Sequence, residues 1–174
     1  NKDDMLDGMV DCVVAEIEVP DLSSDWKSAM HRRAISAHEV LLRHPWSTMA
    51  LVSRITIGPA MLKYIDATLG CLHQAGFSLE MADHAWNALD SCIYGFTLQE
   101  LNFPLEEAEY PDAAEQYLSL IPPEKYRYLN KLTHYVMKGS YNGVHDFEFG
   151  LKLTLDGLDK LLNETSINTS TNRR

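Results

Sequence analysis

Within GFSLEMADHAWNALDSCIYGFTLQE, residues 76–100, the apolar side chains fall at Leu79, Ala82, Trp86, Leu89, Ile93 and Phe96, in alternating steps of three and four. Such steps set all six on one stripe of an α-helix, whereas a strand needs a period of two. The spacing predicts a helix over about 78–101. Gly76 and Phe77 end the preceding helix, glycine being free to take the left-handed conformation. Ser78 serves as N-cap, and Glu80 sits in the first turn, where the helix dipole favours an anion. A stripe this regular should face another helix.

The same logic organises the rest of the chain. Asn1 caps a helix with Asp3 and Asp4 in its first turn and Met5, Leu6, Met9, Val13 and Ile17 as apolar positions. So well formed a start suggests that the natural chain begins earlier. After the loop at 20–24, Ser24 or Asp25 caps a helix to about Arg43 with Trp26, Met30, Ala34, Ala37 and Leu41 inward. Pro45 and Pro59 each open a further helix, to about Arg54 and about Ala75, the second burying Met61 or Leu62, Ile65, Leu69 and Leu72. Residues 102–111, acidic and broken by two prolines, read as a mobile loop. A short helix over 112–120 follows, then one over 124–137 stopped by Gly139, and Asn142-Gly143 marks a turn. The last helix, about 144–162, places Val144, Phe147, Leu151, Thr154, Leu158 and Leu161 on one stripe. Gly150 and Gly157 cost that helix about 1 kcal/mol each relative to alanine, unless a close approach of another backbone compensates. The polar tail, 163–174, is expected to be disordered.

The expected fold class is therefore all-α. One copy can bury both wide stripes internally. Two copies that pack the pair of helices against its symmetry mate make a four-helix bundle around a two-fold axis, so a homodimer is expected. The interface so drawn contains Leu79, Ala82, Leu89, Phe96, Phe147, Gly150, Leu151, Thr154, Gly157, Leu158 and Leu161.

A length of 174 residues is about one domain and can bury a real core. The formal charge of −10 argues against a nucleic-acid surface on these residues themselves. The odd number of cysteines, Cys12, Cys71 and Cys92, each within an apolar helical pattern, fits small buried hydrophobes in a reducing compartment better than a disulfide framework. No run of about 18 apolar residues and no signal peptide is present, so no membrane partner and a cytoplasmic location are expected. His31 and His38 share a helix face, but Ala34 and Ile35 between them cannot ligate. No histidine has an HExxH or cysteine partner, so no metal and no cofactor are expected, and solvated or capping histidines are the default. No GxSxG, phosphate-loop or dinucleotide fingerprint occurs, and an enzyme is not expected.

The phrases NKDDMLDGMVD, VLLRHPW, GPAMLKYIDATLGCLHQAGFSLE, GFTLQE and FEFGLKLTLDGLDKLL resemble the C-terminal regulatory domain of the TetR family of transcriptional repressors. The resemblance runs over nearly all of 1–162 and is loosest between 102 and 140. It implies that residues 1–18 are the helix connecting to an N-terminal helix-turn-helix domain that binds operator DNA and is not part of these residues. It implies that 19–162 form the ligand-binding and dimerisation domain, with the two wide helices as the dimer bundle. It further implies a pocket for a hydrophobic small-molecule effector, lined by Arg33, Ala37, Leu41, Trp46, Met49, Ile57, Met61, Leu62, Ile65, Trp86, Asp90, Ile93, Tyr94 and Thr97. The tetracycline-binding members carry asparagine and phenylalanine where this chain has Arg33 and Ala37, and their metal-holding histidine is replaced around Ser53–Ile55. Tetracycline, or any metal-chelated ligand, is therefore not expected.

Two polar residues interrupt apolar faces. Arg33 either snorkels to the rim, the default for a long basic side chain, or is held by a buried partner. Asp90 on the central helix is the candidate partner, the two meeting across the pocket or orienting a ligand group. The expected function is a small-molecule-sensing regulatory domain whose ligand alters operator affinity. The alternatives are a ligand-free helical interaction protein, its hollow filled by Trp46, Trp86 and Met49, and a small-molecule-modifying enzyme.

Overall fold

A computed structural model describes residues 1–55, 57–141 and 146–171, with side chains up to 164. The described residues form α1 (Lys2–Val14), α2 (Trp26–Arg43), α3 (Pro45–Ser53), α4 (Pro59–Gln74), α5 (Leu79–Asn102), α6 (Tyr110–Tyr117), α7 (Arg127–Met137) and α8 (Phe147–Thr171), and contain no strand. They divide into two compact units: Asn1–Leu101 together with α8, and Asn102–Asp146.

In the first unit, α1 lies on α3 and α4, and α2 lies against α3, α4 and α8. The expected signals at the helix ends operate. Asn1 makes a capping box with Asp4, Asp25 accepts from the Ser28 amide, and prolines open α3 and α4. The α4–α5 junction turns on Gly76 at φ +109°, and the Phe77 amide reaches back to the Leu72 carbonyl at 3.3 Å. That is the glycine-terminated closure of a helix, and it aims Ser78 to cap α5 through the Met81 amide. The core is continuous through Met30, Ala34, Ala37 and Leu41 of α2, Leu72 of α4, Ala82, Ala85, Leu89 and Ile93 of α5, and Leu151, Leu155 and Leu158 of α8.

Several expectations shift by part of a turn. Helix α1 buries Val10, Val13 and Val14 and leaves Met5 and Met9 exposed, because it docks through its C-terminal half. It ends at Val14 rather than running to residue 18. The Glu16 and Ile17 amides tighten onto Val13 and Val14 carbonyls, and Ile17 turns into the core. Helix α4 buries Tyr64, Thr68, Cys71 and Leu72, while Leu62 is exposed. Ala82, Leu89, Phe147, Leu151 and Leu158, expected at the dimer interface, are buried within the chain itself. Phe96 lies edge-on to Phe147, and its ring sits 2.5 Å from where a Cβ on Gly150 would be, so Gly150 serves the α5–α8 contact inside the chain. The outward row of α8 is Phe149, Leu153, Gly157 and Leu161, with Leu79 exposed on α5. Thr154 is half-buried, its hydroxyl donating to the Gly150 carbonyl. The backbone of α8 stays helical to Thr171 instead of fraying after 162; Asn, Ser and Thr are weak helix formers, but no Gly or Pro intervenes.

In the second unit α6 packs on α7. Residues 102–111 are not all loop. A 3-10 turn at Glu107–Glu109 runs directly into α6, which Pro111 helps to open rather than break. Helix α7 begins at Arg127, later than expected, since the Pro122 carbonyl accepts from Lys125 and Tyr126 in a turn. Gly139, at φ +63°, ends it. The expected turn at Asn142-Gly143 and the apolar position Val144 lie outside the described residues.

Candidate functional site

Trp86, Asp90 and Tyr94 recur every four residues along α5 and so stand in one column. The Asp90 carboxylate gathers three donors. Trp86 Nε1 donates to Oδ2 at 2.8 Å, the Tyr94 hydroxyl donates to the same oxygen at 3.1 Å, and Arg33 Nη2 from α2 donates to Oδ1 at 2.5 Å. Arg33 is fully buried, so the rim reading of this residue gives way to the buried pair. Small neighbours on its face of α2, Ala34 and Ala37, let the surrounding helices close over it. Its guanidinium carbon lies 4.5 Å from the centre of the Tyr64 ring of α4, a cation–π arrangement. Nε and Nη1 find no acceptor among the described residues. Burial pushes the phenols of Tyr64 and Tyr94 well above their ordinary range, so both remain neutral donors at working pH.

Beside this cluster, wholly within the first unit, lies a cavity of about 410 Å³. Its walls are Leu51 and Val52 of α3, Arg54 and Ile55 just after it, Met61, Tyr64 and Ile65 of α4, and Trp86, Asn87, Asp90, Ser91 and Tyr94 of α5. An apolar and aromatic wall with a few convergent polar groups is the usual make-up of a small-molecule site, and the volume falls in the usual range. A hollow of about 220 Å³ under the α4–α5 turn, and one of about 490 Å³ in the second unit beside Glu106 and Tyr110, lack such a buried polar cluster in their walls.

Of the residues expected at the pocket, the structure brings Met61, Ile65, Trp86, Asp90 and Tyr94 to the cavity wall, with Arg33 directly behind Asp90 and Tyr64. Ala37, Leu41, Ile93 and Thr97 are fully buried in the core instead. Trp46, Met49, Ile57 and Leu62 are exposed and outside the lining, so Trp46 and Met49 do not plug the hollow. The resemblance implies these residues by position alone, and a shift of one position carries a side chain about 100° round a helix.

Leu51, Val52, Arg54, Ile55, Tyr64, Asn87 and Ser91 escaped the sequence reading. Arg54 had a visible signal, a lone cation within the apolar run LVSRITI, and Tyr64 shares its face of α4 with Met61 and Thr68. His38, expected to be solvated or capping, is buried. Its Nδ1 lies 2.8 Å from Thr97 Oγ1, its Nε2 lies 3.1 Å from Glu100, and its ring stacks on Phe147 at 4.2 Å. Among the described residues no group of three or more His, Cys, Asp or Glu side chains is placed to hold a metal. None of the helices there is long and apolar enough to cross a membrane.

Residues 19–162 match the family model described as tetracyclin repressor-like, C-terminal domain. Among solved structures, the Streptomyces coelicolor TetR family protein ActR in complex with actinorhodin superposes with a TM-score of 0.76 at 24% identity, over 93% of this chain and 78% of that one. Apo ActR from Streptomyces coelicolor gives 0.72 at 23% identity, over 91% and 75%. A possible TetR family transcriptional regulator from Streptomyces coelicolor A3(2) gives 0.69 at 27% identity, over 92% and 78%. No curated protein sequence matches the chain. With the family model spanning most of its length and the same all-helical fold in these regulators, the chain belongs to the tetracyclin repressor-like C-terminal domain family, the regulatory part of TetR-family transcription regulators.

Proposed function

We propose that this chain senses an aromatic small molecule in the cavity between α3, α4 and α5, and that occupancy alters operator affinity through α1 and a helix-turn-helix module outside these residues. The observation that carries the reading is the Trp86–Asp90–Tyr94 column with Arg33 behind it. A carboxylate that accepts three donors fixes the wall, while indole and phenol faces beside Met61 and Ile65 offer stacking surface. ActR, similar in fold, is described in complex with actinorhodin, which makes that compound the first to try. The acting unit is a homodimer joined along the outward row Phe149, Leu153, Gly157 and Leu161 of α8. The ligand shifts the balance between two arrangements only by its difference in affinity for them.

Thermal unfolding against a panel of aromatic natural products tests the sensor. A ligand at a hundred times its dissociation constant adds about 2.7 kcal/mol, which for a chain this size raises the midpoint by roughly 5–10 °C. A panel that moves the midpoint nowhere, with actinorhodin included, refutes it and leaves a helical interaction protein.

A further inference from the structure

Arg54 belongs to two structures at once. It lines the cavity, and it also holds α1: Nε donates to Asp7 Oδ1 at 2.9 Å and Nη2 to Asp3 Oδ1 at 3.1 Å. Asp3 and Asp7 are the first two rungs of a ladder at every fourth residue of α1. The third, Asp11, accepts from the Ala60 and Met61 amides at the start of α4, at 3.2 and 2.9 Å. The ladder therefore grips both ends of the turn between α3 and α4, and the other side of that turn, at Arg54, Ile55 and Met61, is cavity wall.

The two halves of α1 are held differently. Its C-terminal half is pinned by buried Val10, Val13 and Val14, and beyond it Glu16 bonds Arg43 and His44. Its N-terminal half, with Met5 exposed and Leu6 half-buried, depends on the Arg54 pairs. Two carboxylates share one guanidinium there. An anion arriving from the cavity side competes for the same donors and adds a third negative charge, so the carboxylates lose their partner and are repelled.

We infer that the effector is an aromatic anion, bearing a carboxylate, sulfonate or phenolate, and that it signals by drawing Arg54 off Asp3 and Asp7 and so freeing the N-terminal half of α1. This rests on the cavity being the ligand site, and it adds the charge of the ligand and the first moving contact.

The test uses two probes with one ring frame, anilinonaphthalene sulfonate and its uncharged parent N-phenylnaphthylamine. Binding is measured by fluorescence, and α1 is followed by amide hydrogen exchange. Ser91→Phe, which fills the cavity from α5, identifies the binding that counts. In the unaltered chain the sulfonate should bind about tenfold more tightly than the amine, as expected for a gained charge-assisted hydrogen bond. The sulfonate alone should speed exchange of the amides in the first half of α1. Arg54→Gln should erase the affinity gap. Asp3→Asn with Asp7→Asn, leaving the cavity untouched, should tighten the sulfonate severalfold and leave the amine unchanged, since coupling is reciprocal. A gap that survives Arg54→Gln, or α1 exchange that responds equally to both probes, overturns the inference while keeping the cavity as a site. Binding of both probes that is indifferent to Ser91→Phe overturns the cavity reading and this inference together.

Discussion

The buried Arg33–Asp90 pair makes an asymmetric prediction. Arg33 has no exposed surface, whereas the Asp90 side chain keeps 11% and borders the cavity. Asp90→Leu therefore strands a guanidinium with no route to water, for which the cost is about 3–5 kcal/mol. Trp86 and Tyr94 lose an acceptor as well, but both line the cavity and can turn to water, so they add little. Arg33→Met leaves the Asp90 carboxylate with the Trp86 and Tyr94 donors and an edge at the cavity, a loss nearer the cost of one charged hydrogen bond, about 1.5–3 kcal/mol. Combining the two replacements restores an apolar, uncharged contact and recovers most of the loss. In thermal unfolding the Asp90 variant falls by roughly 6–20 °C, at about 2–4 °C per kcal/mol for a chain of this size. The double variant lies between it and the parent. Equal losses for the two single variants, or a double variant at the sum of the singles, would refute the idea that stability here depends on compensated burial.

Three further outcomes follow from other contacts. Gly58→Ala places a Cβ 2.2 Å from the Asp11 carboxyl group and evicts it from the start of α4. The loss should be about 0.5–2 kcal/mol in urea unfolding, and adding Asp11→Ala should cost little more because the cap is already gone. Burial holds the His38 imidazole below its ordinary value of 6.5, with Glu100 and Glu39 opposing. The unfolded chain thus takes that proton first, and stability is intact above pH 6.5 and declines as the pH falls from there toward the lower folded value. His38→Gln should flatten urea midpoints measured between about pH 7.5 and pH 5, a range above that in which the lowered carboxylates Asp25 and Asp156 take up protons. Leu153→Glu, on the outward row of α8, should convert a sedimenting dimer into a monomer with an unchanged circular dichroism spectrum, and a parent chain that sediments as a monomer would end the dimer proposal.

The sequence disclosed the helices well because their signals are local. Asn1, Asp25, Pro45, Pro59, Gly76 and Gly139 each act on the turn they sit in, through a side-chain oxygen, a fixed φ or a positive one. It disclosed facing less well, because facing depends on what lies opposite. The stripe of α5 was correct at Ala82, Leu89 and Ile93, yet the stripe alone cannot tell a neighbour in the same chain from a second copy, and these three proved internal. The site divides along the same line. Trp86, Asp90 and Tyr94 were legible as polar or amphipathic breaks in an apolar helix. Ser91 was not, since it reads as any exposed residue of a helix, and although Arg54 stands out in its apolar run, only the turn between α3 and α4 brings it to the cavity.

Helix α5 carries the cavity wall at Trp86, Asp90 and Tyr94 on one face, and the small exposed residues Ala88 and Gly95 on another. In a pair of protomers joined beside that strip, the rod that touches the ligand in one half is the rod that abuts the other half. Two cavities so yoked have no reason to fill independently. A titration of the pair should therefore depart from a simple hyperbola, and the sense of the departure would reveal whether the first occupant helps or hinders the second.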